Sequence, residues 1–313
     1  MRKRVKTLLT TTLRNIDETT TQTVVQTLLA HSDLTVTHPG EYGFTDNTIS
    51  CYRYQGDGWQ PAGRCVPECD VWIVWIDGYA LDHAAMGFAD AMAFFEATQE
   101  MFLRNLANGN VGSMYNHPQA ERNTLKDFLA DLDSEEFHVI PSYRLEGFAH
   151  LADIYQTLGP LVVKPFWGGL RQGVVKVTCE EELLALRGAD LRHQVAQLFC
   201  HGPEKRLWVT GGECRQGGVH YGKRTPWSDF APDYRVLPHD QLPTAEVAAD
   251  IARAERLAAK VGLHFGSVDF IGDRINEVNG AGTGHVMWNL EGAEVVDARP
   301  LLQAQLKRLI GAA

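Results

Sequence analysis

Apolar and polar positions along this chain switch repeatedly between the period of a strand and the period of a helix. Lys6 to Thr12 predicts a short strand. Asp17-Glu18 opens a helical stretch through Leu29, and its acidic first turn suits the helix dipole. Leu34 to Pro39 predicts a second strand. Two short β-like runs then flank Gly56-Asp57-Gly58, and Asp-Gly is a strong hairpin signal. Val71 to Asp77, VWIVWID, is an unbroken β-branched and aromatic run, the pattern of a strand buried on both faces of a parallel sheet. His83 to Leu106 has helical spacing and stops before Gly109, and VGSMYN follows as a strand. Alternating strand and helix implies a doubly wound α/β lobe. No Gly-x-Gly-x-x-Gly turn follows a strand here, which disfavours a dinucleotide site.

The second half is richer in strands. Asn123 to Leu132 predicts a short helix. PLVVKPFWGG runs as a strand into a glycine loop, and VVKVTC runs out of it. Glu180 to Arg187 predicts a helix. VAQLFC and LWVTGGECRQGGVHYGK predict strands, the latter pair joined by a Gly-Gly turn. Ala245 to Val261 is rich in good helix formers. GSVDFIG and INEVN predict two strands separated by the tight turn Gly272-Asp273, and a last helix runs from Ala298 to Leu309. There is no internal repeat.

Composition sets limits on this outline. A chain of 313 residues exceeds one small core and suits two or three packed lobes. Its 44% apolar and 22% charged content is ordinary for a globular chain. The net charge of -10 works against a nucleic-acid or anionic-membrane partner. MRKRVK is basic but lacks the apolar stretch of a signal peptide, and no run of about 18 apolar residues suggests a spanning helix. A cytoplasmic protein with no nucleic acid and no membrane partner is expected. The six cysteines are scattered. Cys65 and Cys69 are four apart, but no second pair completes a zinc pattern, so reduced thiols are expected.

Three stretches carry candidate chemistry. In the first, Lys164 ends a buried strand ahead of Gly168, Gly169 and Gly173. Such a Lys can place a point charge on a phosphate, and the glycines let backbone N–H groups approach it. A plain hairpin with one surface Lys fits the same residues. In the second, an apolar strand edge at Gln197, Leu198 and Phe199 could read an adenine ring, with Glu204 accepting from ribose hydroxyls. An ordinary strand and charged turn fit this stretch more simply. In the third, Asp269 lies on one strand, while Glu277 and Asn279 lie two apart on the next and share a face. A tight hairpin would gather three hard oxygen ligands of the kind Mg²⁺ prefers. A solvated hairpin face is the alternative, weakened by the core residues Val268, Phe270, Ile275 and Val278, since carboxylates beside core strands need a reason.

VVKPFWGGLRQGVVKV, VAQLFC, EKRLWVTGGE and GSVDFIGDRINEVNGAGTG, in this order, resemble the ATP-grasp fold. The likeness is to bacterial glutathione synthetases and ribosomal-protein glutamate ligases, over roughly Val111 to Asn289. It implies an α/β chain with α+β lobes: an N-terminal doubly wound pre-ATP-grasp domain over 1–118, a small subdomain with the glycine loop over 119–195, and a C-terminal subdomain with the Mg site over 196–313. It implies that Lys126 and Lys164 bind the nucleotide phosphates under a loop containing Gly168, Gly169 and Gly173. Gln197, Leu198 and Phe199 would form the adenine hinge and Glu204 the ribose acid. Asp269, Glu277 and Asn279 would hold Mg²⁺, with Mn²⁺ as an alternative, and Arg224 would face the γ-phosphate and the acyl phosphate.

The implied activity joins a small-molecule carboxylate to an amine, of amino-acid or peptide kind, through an acyl phosphate, with ATP giving ADP and phosphate. An ATP-grasp kinase and a non-catalytic nucleotide-binding module are the alternatives. Homodimers are frequent among such relatives. Phe166-Trp167 and Arg171-Gln172 depart from the usual loop. Thr225 to Val236 does not follow the glutathione synthetase pattern, which puts glutathione itself in doubt. Gly280 to His285 is a glycine-rich candidate for an acceptor pocket. Trp72 and Trp75 are expected in the core. Trp227, Trp288 and His285 are read first as packing residues, and Asp233 with Arg235 as a surface pair.

Overall fold

The computed structural model describes residues 4–11, 19–37, 48–55, 58–75, 100–166, 173–221, 235–288 and 292–311. The N-terminal lobe comprises β1 (Lys6–Thr10), α1 (Thr19–His31), β2 (Asp33–Thr37), β3 (Ile49–Tyr54), β4 (Trp59–Cys65), β5 (Cys69–Val74) and β6 (Val111–Tyr115). These strands form one sheet in the order β4-β3-β2-β1-β5-β6. β1 runs parallel to β2 and β5, and β5 parallel to β6, as a doubly wound lobe requires. The hairpin expected around Gly58 is present and adds two antiparallel strands at the sheet edge.

The unbroken apolar run of β5 is explained by cover on both faces. Trp72 and Val74 pack with Met101 and Phe102 of the helical residues 100–107, while Val71, Ile73 and Trp75 pack with Val24 and Leu28 of α1. The buried Trp72 indole donates to Thr10 Oγ1 at 2.8 Å. Cys51 and Cys65 require a correction. They lie on the paired strands β3 and β4 and form a disulfide, with Cα atoms 6.4 Å apart. Cys69 remains a buried free thiol, so Cys65 and Cys69 do not act as a metal pair.

The expected helix over Asn123 to Leu132 also shifts. α2 (Pro118–Arg122) comes first, with proline at its start and a His117 side-chain cap, and a 3₁₀ turn follows over Lys126–Asp131. Arg122 ties that turn back through two bonds to Asp127, at 2.9 and 2.7 Å.

A four-stranded antiparallel sheet follows, ordered β7-β10-β8-β9. It contains β7 (Ser142–Arg144), α3 (Phe148–Leu158), β8 (Leu161–Pro165), β9 (Val175–Val177), α4 (Glu180–Ala185) and β10 (Gln194–Leu198). The domain boundary expected at 195/196 falls inside β10. The third sheet comprises β11 (Glu204–Thr210), β12 (Glu213–Tyr221), β13 (Arg235–Pro238), β14 (Phe265–Ile271) and β15 (Arg274–Asn279), in the order β13-β12-β11-β14-β15. Gly211 and Gly212, both at positive φ, make the expected β11–β12 turn. α5 (Thr244–Val261) covers one face of this sheet through Ala254, Leu257 and Val261. The ribbon β16 (Val286–Trp288) and β17 (Glu294–Asp297) leads into α6 (Arg299–Leu309). Leu302 and Leu306 of α6 join the N-terminal core, so the chain's end packs beside its beginning. Among the described residues no helix is long and apolar enough to cross a membrane.

Candidate functional site

The third sheet has a core face and a polar face, set by strand alternation. Leu207, Val209, Val268, Phe270, Ile275 and Val278 pack toward α5. Arg206, Asp269, Glu277 and Asn279 occupy the other face. Pairing across strands sets Arg206 opposite Asp269, Asp269 opposite Glu277, and Ser267 opposite Asn279. The β14–β15 register then slips: Asp269 pairs with Glu277, but Phe270 pairs with Ile275. Asn276 is therefore an extra residue in a bulge, and bulges re-aim side chains.

Arg206 grips Asp269 with two hydrogen bonds, at 2.8 and 2.6 Å. Asn279 Nδ2 donates to Asp269 Oδ2 at 3.2 Å and to Ser267 Oγ at 3.3 Å. Burial opposes the Arg206 charge, but Asp269, with Glu277 and Glu204 beyond, outweighs it and holds the guanidinium above its ordinary pKa. Burial likewise works against ionised Glu277. Lys126, Lys164, Arg206 and a hydrogen bond with Asn279 outweigh that and hold the carboxyl below its usual range.

Two lysines approach from outside this sheet. Lys126 Nζ lies 3.8 Å from Glu277 Oε2, and its backbone N–H donates to Phe166 O beyond the end of β8. Lys164 stands on β8 and is 8% exposed. Its ammonium donates to Gln197 Oε1 at 2.6 Å and to Asn276 Oδ1 at 2.8 Å. Burial lowers its pKa to about 8; nearby Glu277 opposes the fall and Lys126 adds to it. The structure thus gathers Lys126, Lys164, Asp269, Glu277 and Asn279 where the second and third sheets meet.

The hinge residues are placed differently from a strand edge. β10 is an interior strand, between β7 and β8. The Leu198 and Phe199 N–H groups donate to Pro141 O and Pro160 O. The buried Gln197 side chain bonds Lys164, Ser142 and the Asn276 carbonyl. Glu204 begins β11, opposite His220. Gly173 takes φ 69°, beside Pro165. Gly168, Gly169 and Arg224 lie outside the described residues, as do Trp167, Arg171, Gln172, Trp227, Asp233 and the segment 222–234. Arg235 stacks over the Tyr221 ring at 4.6 Å. Trp72 and Trp75 are core residues, whereas Trp288 is 45% exposed.

His285 is fully buried between the Trp75 and Trp208 rings, and burial lowers its pKa to about 4. Its Nδ1 faces Thr283 O at 2.8 Å, and its Nε2 has no partner among the described residues. Sequence pattern alone singles out neither Arg206 nor Asn276. The first reads as part of a charged turn. The second acquires its direction from a bulge that strand periodicity does not encode.

Among the described residues no group of three or more His, Cys, Asp or Glu side chains is placed to hold a metal ion. The candidate metal set is two facing carboxylates and one amide. The carboxylates are of the kind a hard divalent ion prefers and are adjacent in register; both Asp269 oxygens accept from Arg206 in this structure, so a bound ion would share or displace that guanidinium. Asn279 fits once its amide turns to present oxygen.

No protein-family model and no curated protein matches the sequence. Solved structures do. The ATP-grasp ligase PsnB, complexed with a phosphomimetic variant of minimal precursor, Mg and ADP, is similar at TM-score 0.63 and 17% identity, over 98% of this chain and 100% of that one. D-alanyl-alanine synthetase A from Vibrio cholerae is similar at TM-score 0.62 and 14% identity, over 100% of both chains. The macrocyclase MdnC from Microcystis aeruginosa, bound with its precursor peptide MdnA, is similar at TM-score 0.59 and 13% identity, over 98% of this chain and 99% of that one.

Proposed function

The chain has the ATP-grasp fold, and from that premise we propose that it is an ATP-dependent ligase that joins a carboxylate to an amine. One observation carries this reading: Lys126 and Lys164 converge on the Asp269–Glu277 pair where two sheets meet. Cations from one side and carboxylates from the other form an arrangement for a polyphosphate and its counter-ion.

ATP would lie between the second and third sheets. Lys126 and Lys164 would neutralise its phosphates, and Glu204 would accept from the ribose. With Leu198 and Phe199 N–H groups engaged, adenine would be read from residues just beyond Phe199. Asp269, Glu277 and Asn279 would hold Mg²⁺ or Mn²⁺. A bound divalent ion supplies charge neutralisation to the phosphates.

A carboxylate is a poor acylating agent because oxide is a bad leaving group. Transfer of the γ-phosphoryl group to one carboxylate oxygen gives an acyl phosphate and ADP. The amine then attacks the carbonyl carbon, the C–O bond to phosphate breaks, and the amine gives up a proton. Phosphoryl transfer mostly needs positioning and charge neutralisation, so no Ser-His or Cys-His nucleophile is required. Arg206 and Arg224 are the arginines proposed to face the developing charge. The segment holding Gly168, Gly169 and Gly173 would exclude water. Substrates of amino-acid or peptide kind are supported by the neighbours, two of which are described with precursor peptides and one as a D-alanyl-alanine synthetase.

The test is to incubate the chain with Mg-ATP, pooled amino acids, short peptides and small carboxylates. Equal ADP and phosphate, with a product mass of two substrates minus water, would establish the ligase. ADP with a phosphorylated product and no free phosphate would replace this reading with a kinase.

A further inference from the structure

An ammonium group has three N–H donors in a tetrahedral fan. In Lys164 two of them are taken, by Gln197 Oε1 and Asn276 Oδ1, and these bonds come from different sheets. Once two directions are fixed, the third is fixed as well.

The acceptors are themselves held. Gln197 Nε2 donates to the Asn276 backbone carbonyl at 3.1 Å and to Ser142 Oγ at 3.2 Å. Ser142 Oγ in turn donates to Ile140 O at 2.9 Å. Both ends of this chain are carbonyls, which only accept, so the amide has one orientation and its oxygen must face Lys164. Asn276 is held by its place in the β15 bulge, one residue before Glu277. The outer edge of β15 is pinned in turn, with Ile140 N–H donating to Ile275 O at 2.8 Å and Ile275 N–H to His138 O at 3.0 Å.

We propose that Asn276 is a positioning residue for the nucleotide: with Gln197 it locks the Lys164 ammonium so that its remaining N–H points at the phosphate site. The lock is built from neutral acceptors, so the lysine charge is not cancelled by its partners and stays available to an incoming anion. Because the Asn276 bond joins the second sheet to the third, it also sets how the lysine of one sheet sits against the carboxylates of the other. This inference rests on the ATP reading above.

The experiment titrates Mg-ATP and, separately, adenosine into the wild-type chain, Asn276→Ala, Lys164→Ala and the double variant. Asn276→Ala should weaken Mg-ATP about tenfold, in line with the loss of one hydrogen bond to a charged group. Its adenosine affinity should stay unchanged, which shows that the site is folded. In the Lys164→Ala background the second substitution should cost nothing more, because Asn276 acts only through that ammonium. Asn276→Ser, which also loses the Oδ1 acceptor, runs the same cycle if the alanine variant fails to bind adenosine. Wild-type Mg-ATP affinity in Asn276→Ala, or a full additional loss in the double variant, would overturn the proposal and leave the ATP reading standing. Wild-type binding of Mg-ATP no tighter than adenosine would overturn both.

Discussion

Two buried lysines sit on opposite sides of the same architecture, and their partners differ in kind. Lys205, on the core face of β11, is 2% exposed and forms ion pairs with Asp250 at 2.5 Å and Glu246 at 3.1 Å. Asp250 also bonds His239 and Arg253, so this charge is answered on the spot. Lys164 is comparably buried, yet its hydrogen-bond partners are two neutral amides. Burying a charge is costly unless it is paired. The fold meets that cost for Lys205 within α5, whereas Lys164 stays under-compensated, with its pKa lowered to about 8. A buried lysine paired with acids holds structure together, and one held by neutral acceptors is left for a ligand.

The comparison breaks first at activity. Lys164→Ala should reduce ADP release by about a thousandfold, the scale seen when a preorganised charge-stabilising group is removed, while thermal unfolding stays close to wild type. Glu277→Ala should do the same. Near-normal turnover in either variant would remove these residues from the site. Lys205→Met should show the opposite signature. It leaves Asp250 short of its closest cation and should cost about 3–5 kcal/mol in urea unfolding, with the folded fraction keeping its ATP affinity.

A smaller effect sharpens the contrast through pH. The folded pKa of Lys164, about 8, lies below its ordinary 10.5. Below pH 8 the lysine is charged in both folded and unfolded chains. Between the two values the folded chain has released a proton that the unfolded chain keeps, so this group's contribution raises stability as pH rises. Phosphate binding needs the charged form and should weaken over the same window, by up to about tenfold per pH unit. A flat Mg-ATP affinity from pH 8 to pH 10 would sink this expectation. Smallest of all, adding Asp250→Leu to Lys205→Met should recover part of that loss, since apolar packing can stand in for a buried ion pair, while the buried His239 loses its Asp250 partner and keeps the recovery incomplete by about 1–3 kcal/mol.

The sequence carried the local parts of this structure more clearly than the long-range ones. Asp269, Glu277 and Asn279 were legible because the Gly272-Asp273 turn and period-2 alternation fix them within one hairpin. Lys164 was legible as a charge at the end of an apolar strand. Arg206 was not, because its partner depends on the antiparallel pairing of β11 with β14, more than fifty residues away. Strand alternation places Asn276 on the face opposite Glu277, and only the bulge turns it toward Lys164. β7, β16 and β17 are three or four residues long, too short for alternation to register. The Cys51–Cys65 bond depends on hairpin register, which cysteine spacing alone does not reveal.

The most direct test of the account is calorimetric titration of Mg-ATP into wild type, Lys164→Ala and Lys205→Met, each shown to be folded. The account predicts one site per chain, at least about a hundredfold loss of affinity in Lys164→Ala, and an unchanged affinity in Lys205→Met. Equal affinity in wild type and Lys164→Ala would contradict it, because the lysine left under-compensated by the fold would then have no anion to meet.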